Sequence, residues 1–165
     1  MIGTFRLKQE PATAWLDAFP PLARLEDPSR SALARCLPMD IRKGRCLFAP
    51  GEPCPGFVLL LTGRIRVGLT AENGRRLVLY RVLPGETCVQ TTLCMLGDLK
   101  YSAEGMAESD LRLVIVPPIL FLCLLRESAI FAQFVFERFR ARLSEMTRLI
   151  ATIAFFGWTP GLSLH

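Results

Sequence analysis

The chain has 165 residues, of which 51% are hydrophobic and 21% charged, and its net charge is +5. That length can bury a core without disulfide or metal staples, and that composition excludes a disordered chain. The positive charge is compatible with a nucleic acid or an anionic ligand and demands neither, because no dense Lys/Arg block with interleaved aromatics accompanies it.

Residues 1–10 lack the apolar stretch of a signal peptide. The most apolar run, residues 113–125, is too short to span a bilayer and carries Pro117-Pro118. A cytoplasmic protein with no membrane partner is therefore expected. Its six cysteines then read as thiols, by default as small apolar side chains.

Residues 1–26 form a mixed N-terminal segment broken by Pro11, Pro20 and Pro21. Asp27-Pro28 predicts a helix start, with Asp capping free amides and Pro at the first helical position. Leu33 and Leu37 give that helix an apolar face, and Pro38 stops it. Between residues 41 and 116, short apolar runs alternate with turn residues: Pro50-Gly51, Pro55-Gly56, Gly63, Asn73-Gly74, Pro84-Gly85, Gly97 and Gly105. This is the texture of an antiparallel β-roll or barrel. The clearest hairpin pairs 64–69 with 75–82 across Asn73-Gly74, which supplies the positive φ a tight turn needs. Ile65, Val67 and Leu69 are expected on its buried face, and Arg64, Arg66 and Gly68 on its wet face.

Beyond Pro118 the period turns helical. Ile119, Leu122, Cys123 and Leu125 suit a short apolar helix, and a longer one begins near Ser128 or Ala129. Phe136, Phe139, Leu143, Met146, Ile150 and Ile153 step by 3, 4, 3, 4 and 3, an a/d seam across about three heptads. Phe131, Phe134 and Val135 give the first turns a second apolar face for packing on the roll. The seam suits either an ordinary helix lying along its own domain or a parallel coiled-coil homodimer. The homodimer is expected, because a compact β domain leaves little core to cover so long a stripe.

Four stretches add detail: Leu47-Phe48-Ala49-Pro50-Gly51-Glu52-Pro53-Cys54-Pro55-Gly56-Phe57, Leu61-Thr62-Gly63-Arg64-Ile65-Arg66-Val67, Ala71-Glu72-Asn73-Gly74-Arg75-Arg76, and Tyr80-Arg81-Val82-Leu83-Pro84-Gly85-Glu86. In this order and spacing, over about residues 20–155, they resemble the N-terminal half of Crp/Fnr transcription regulators. The resemblance implies an α+β, mainly β fold. Its centre would be a double-stranded β-helix, a jelly-roll-like β-roll, with short N-terminal helices and a long C-terminal dimerisation helix. It also implies boundaries: an N-terminal segment over 1–26, a cyclic-nucleotide-binding-like roll with flanking helices over 27–127, a dimerisation helix over 128–155 and an irregular tail over 156–165. In that family a winged helix-turn-helix follows, and an effector shifts the two reading heads through the dimer helix. Only residues 154–165 lie beyond the seam here, and Phe155-Phe156-Gly157-Trp158-Thr159-Pro160-Gly161 reads as a non-helical tail. The chain as given is therefore expected not to bind DNA specifically, that activity belonging to a full-length relative.

The candidate effector cassette comprises Gly85, Glu86, Thr87, Cys88, Thr91, Thr92, Cys94, Tyr101, Ser102 and Ala103. In cyclic-AMP-binding members the resemblance implies a Glu on the ribose hydroxyl and an Arg on the cyclic phosphate. Here Gly85-Glu86-Thr87 keeps the opening, but Tyr101 stands in Tyr101-Ser102-Ala103 where the Arg belongs, and Lys100 is a poorer point charge. A buried phosphate without its Arg is costly, so a cyclic nucleotide is not the expected effector. Glu86 then reads as a turn residue accepting backbone hydrogen bonds. Cys88 and Cys94 could pack, sense an oxidant or bind a metal, and a bridge between positions six apart would need a bent helix.

The residues mark no metal site and no certain cofactor. An iron–sulfur cluster is not expected, since no cysteine precedes Cys36, and neither is haem, since His165 is the one histidine. The same lack excludes cupin-type metal enzymes and Ser/His or Cys/His nucleophiles, so no enzyme is expected. The function expected is an effector-sensing and dimerisation domain for transcription regulation. The alternatives are a module that pairs with intact regulators, or a thiol-based redox sensor. The effector cavity is expected between residues 85–103 and the helix near Phe131, Phe134 and Phe139, lined for a small apolar or thiol-reactive molecule.

Overall fold

The computed structural model describes residues 13–97 and 99–156. The readings made of residues 1–10 and of the tail after Phe156 lie outside the described residues.

Among the described residues two 3-10 turns, Ala14–Ala18 and Pro20–Arg24, come first. They bury Trp15, Leu16, Phe19 and Leu22, so this part of the N-terminal segment belongs to the core. Helix α1 spans Asp27–Ala34 with Pro28 in its first turn. Its cap is Glu26, not Asp27, and no side chain bonds the free amides. The Glu26 carboxylate instead accepts from Ser128 Oγ at 2.9 Å. Leu33 is buried as expected, but Leu37 is 70% exposed because the helix ends before reaching it.

Among the described residues seven strands follow: β1 Met39–Ile41, β2 Cys46–Phe48, β3 Phe57–Thr62, β4 Ile65–Thr70, β5 Arg76–Val82, β6 Glu104–Ala107 and β7 Leu111–Val116. They form two antiparallel sheets, ordered β1-β7-β3 and β2-β6-β4-β5. Helix α2 (Val89–Gly97) lies between β5 and β6, and α3 (Pro118–Glu127) and α4 (Ala129–Phe156) are the last described elements. Among the described residues the α-helices hold more residues than the strands, so the fold is mixed rather than mainly β. Helix α4 alone takes 28 residues.

The three-stranded sheet is covered on both faces. Phe57, Leu59, Val114 and Val116 pack with the 3-10 turns, α1, α3 and the start of α4. Val58, Leu60, Leu111 and Leu113 point the other way, into a second core shared with the four-stranded sheet. Alternate residues of one strand therefore serve two cores, which is why β3 reads as an unbroken apolar run.

The β4–β5 hairpin departs from simple alternation. Val67 pairs with Tyr80 but Gly68 pairs with Val78, leaving Leu79 as an extra residue on β5. This bulge swaps the faces beyond it. Gly68 is buried and Leu69 exposed, the reverse of the expected placement. A Cβ on Gly68 would collide with the Leu77 carbonyl, so the bulge needs glycine there.

On the outer side of this sheet Glu108 bridges Arg64 at 2.7 Å and Arg81 at 3.0 Å. Hydrogen bonding to Arg81 holds the Glu108 carboxyl below its ordinary range. A lowered folded-state value stabilises the fold above the unfolded carboxyl's range and loses that contribution as pH falls through the folded value. Glu108→Gln is expected to cost roughly 1 kcal/mol near neutral pH, since both arginines are substantially exposed. The gap should narrow as pH falls below the ordinary carboxyl range and through the lowered folded value, as read by urea denaturation of both proteins at neutral and acid pH.

Ser128 joins α3 to α4. Its Oγ accepts from the Phe131 amide at 3.2 Å, capping α4, while donating to Glu26. Of the short helix's expected apolar face, Ile119, Leu122 and Cys123 are exposed, while Phe121 and Leu124 are buried instead. Among the described residues no single helix is long and apolar enough to cross a membrane; α3 and α4 meet that test only as a pair bent by 110°.

Candidate effector site

The cassette opens as a tight turn held against β3. Gly85 has φ +82°, a left-handed conformation suited to glycine, and its amide donates to Leu60 O at 2.9 Å. Leu60 N donates to Glu86 O, and Cys88 N to Val58 O. Thr87 bridges to Leu59. The segment thus extends the edge of the three-stranded sheet before α2 begins.

The threonines of α2 are internal structure. Thr91 Oγ1 donates to Cys88 O at 2.7 Å and accepts from Val58 N at 3.3 Å. Thr92 Oγ1 donates to the same carbonyl at 3.2 Å. Between the opening and the closing triplet, buried Gln90 acts as a clasp. Its Oε1 accepts from Ser102 Oγ at 3.1 Å, and its backbone N–H donates to Tyr80 Oη at 3.3 Å. Ser102 and Lys100 are exposed, whereas Ala103 is fully buried.

Tyr101 fills the place that the family resemblance gives to an arginine. Its ring stacks on Phe48 with centroids 4.2 Å apart and planes 14° from parallel. Its hydroxyl donates to Cys54 Sγ at 3.1 Å, and its backbone pairs with Glu52 O and Gly51 N. The side chain is 3% exposed and carries no charge for a phosphate. Glu86 is likewise engaged: its Oε2 accepts from the Leu83 amide at 2.9 Å, the turn role expected of it. The same oxygen accepts from Arg142 Nη2 at 3.1 Å.

Arg142 is a hub that sequence reasoning left off the seam. It projects from α4 with a side chain 10% exposed. Besides Glu86 it donates to Arg81 O at 3.1 Å and pairs with Glu145 at 2.8 Å. Its guanidinium stands 4.8 Å from the centre of the Tyr80 ring, a cation–π contact. Burial pushes the Tyr80 hydroxyl far above its ordinary range, so it stays neutral. One side chain thus ties α4 to β5 and to the cassette turn.

The two cassette thiols do not face each other as a pair. Cys88, just before α2, meets the Tyr80 hydroxyl, while Cys94 meets Cys54, a residue the sequence did not single out. Burial pushes both thiols up, Cys94 to about 11. Among the described residues no group of three or more His, Cys, Asp or Glu side chains could hold a metal ion.

The expected seam divides. Phe139 and Met146 are half-buried against the core of the roll. Phe136, Leu143, Ile150 and Ile153 are exposed. Phe131 and Phe134 are buried in the other core, with Phe57 and Phe121, so the expected cavity lacks two of its three helix residues. A groove of about 400 Å³ instead runs between the second 3-10 turn and α4, bordered by Arg24, Phe134 and Arg138.

Residues 38–128 match the cyclic nucleotide-binding domain family. Among curated proteins none matches the chain in sequence. Solved structures do match. A Crp/Fnr-family transcriptional regulator from Eubacterium rectale is 22% identical, with 86% of this chain and 66% of that one covered at a TM-score of 0.75. The catabolite activator protein of Thermus thermophilus is 23% identical, with 82% and 63% covered at 0.66. The sensor domain of the regulator DNR from Pseudomonas aeruginosa is 20% identical, with 91% and 94% covered at 0.61. At these identities the likeness is one of fold, and the chain spans about two thirds of the length of the first two regulators. With more than half of its length matched, the chain belongs to the cyclic nucleotide-binding domain family.

Proposed function

We propose that this chain is the effector-sensing and dimerisation domain of a cytoplasmic Crp/Fnr-type transcription regulator, acting as a homodimer through α4 and responding to something other than a cyclic nucleotide. The two sheets then correspond to the two faces of a jelly-roll-like roll. The family match and the shared fold support the class. The observation that carries the mechanism is Arg142, which links the helix proposed to dimerise with the turn that opens the cassette. A ligand that displaced Glu86 or Tyr80 would have to break that link, and the strain would pass to α4. This is the coupling of two sites through one shared element that allostery requires.

Against a cyclic nucleotide stand two occupied positions. Glu86 is bonded to Arg142, and Tyr101 is stacked on Phe48 where a phosphate partner would be needed. Cyclic AMP or cyclic GMP at about 1 mM is therefore expected to leave the melting temperature unchanged, whereas a ligand at a hundred times its Kd would add about 2.7 kcal/mol. A saturable rise in melting temperature would refute this reading of the cassette. Native mass spectrometry tests the rest, since it reports dimer mass and any retained small molecule together; a monomer at all concentrations would count against the role assigned to α4.

A further inference from the structure

Beside Cys94 of the cassette stands a sulfur from another loop that the proposed function does not use. Cys54 lies in the loop between β2 and β3, half-buried. Its Sγ is 4.0 Å from Thr91 O, 3.3 Å from Gly56 O and 3.1 Å from the Tyr101 hydroxyl. Cys94 follows Thr91 by three positions on α2. A helical side chain leans back towards the helix start, which places Cys94 on the Thr91 side of α2, and its thiol meets that of Cys54. Cys88 is fully buried at the other end of the segment, against Tyr80.

We propose that Cys54 and Cys94 are a redox-closable pair that a hydroperoxide converts to an intramolecular disulfide. Cys54 is the thiol a solute can reach, since Cys94 is 3% exposed. The Cys54 sulfur attacks one peroxide oxygen; the O–O bond breaks, water or an alcohol leaves, and a sulfenic acid remains. Cys94 then attacks the Cys54 sulfur; the S–O bond breaks, and the hydroxyl leaves as water with the Cys94 proton. Two thiols are oxidised and one peroxide is reduced by two electrons. The Tyr101 hydroxyl aims its hydrogen bond at the sulfur that carries negative charge in the first step. Burial keeps Cys94 protonated near neutral pH, so the second step is the slower one. Closure would fasten the loop before β3 to α2 and take from Tyr101 its hydrogen-bond acceptor, altering the cassette without any ligand.

The test uses the full chain with the other solvent-reachable thiols removed by Cys36→Ser, Cys46→Ser and Cys123→Ser, which limits bridging between molecules. Hydrogen peroxide is added, free thiols are alkylated with N-ethylmaleimide in denaturant, and the peptides are weighed. The expected product is a Cys54–Cys94 linked peptide pair, short of two hydrogens and released by dithiothreitol. It should persist in Cys88→Ser and vanish in Cys54→Ser. Cys94→Ala should halt the reaction at a Cys54 sulfenic acid, trapped by dimedone. Full alkylation of both thiols after peroxide, or a Cys88–Cys94 bridge in its place, would overturn the proposal. The readout is a covalent mass independent of dimerisation and effector binding, so its failure leaves the regulator reading standing, and the converse also holds.

Discussion

Replacing Phe131 with alanine is expected to destabilise the domain by about 3–5 kcal/mol, the range for removing a fully buried phenylalanine. Phe131 is 0% exposed and sits where the sheet and two helices converge. Its ring centre is 6.2 Å from Phe57 on β3, 5.8 Å from Phe121 on α3 and 6.4 Å from Phe134 on its own helix. Neighbours from three elements cannot all close in on the vacated space, so the cavity cost adds to the lost burial. Against a total stability of about 5–15 kcal/mol, that loss is a large share. Chemical denaturation of the variant should show it directly. Leu37→Ala, at a side chain 70% exposed, should change stability by less than about 0.5 kcal/mol in the same experiment. A Phe131→Ala loss no larger than the Leu37 value would mean that α4 does not dock on the sheet.

Much of the fold was legible in local pattern. The hairpin turn at Asn73-Gly74, the helix after Pro118 and the split between the β texture and the long helix all follow from spacing and turn chemistry. What the pattern missed has identifiable causes. A single extra residue on β5 reversed the faces beyond Val67, and alternation counted from one strand cannot register a bulge that arises between two. Pro20 and Pro21 read as breakers, yet proline is compatible with the short 3-10 turn that buries Leu22. The a/d count treated six side chains as one surface, although the roll takes Phe139 and Met146 for itself.

The site was half legible. Gly85-Glu86-Thr87 announced a turn, and Tyr101 announced the missing cation. The partners of both residues were out of reach. Arg142 meets Glu86 across 56 positions, and Cys54 meets Tyr101 across 47. Periodicity describes neighbours within a turn or a strand pair. It carries nothing about which distant side chains the fold brings together, and here the proposed choice of ligand rests on those contacts.

The double variant Leu143→Glu with Ile150→Glu is expected to convert the homodimer proposed through α4 into a folded monomer, raising the dissociation constant by at least about a hundredfold. Phe136, Leu143 and Ile150 recur every seven residues and are 53%, 54% and 67% exposed, so they form one apolar line that the chain's own core does not cover. Burying each such side chain against a partner would contribute about 1.5–3 kcal/mol, and twofold symmetry counts every substitution twice. Glutamates at facing positions add like-charge repulsion to that loss. The monomer should keep its fold, because Phe139, Met146 and Arg142 still hold α4 against the roll. Sedimentation should therefore report half the mass with an unchanged circular dichroism spectrum. Met146→Glu should do the opposite, weakening the protomer itself, since that side chain packs inward. The two outcomes separate an interface from a core along a single helix. An undiminished dimer in the double variant would mean that the exposed line is not what joins the two copies.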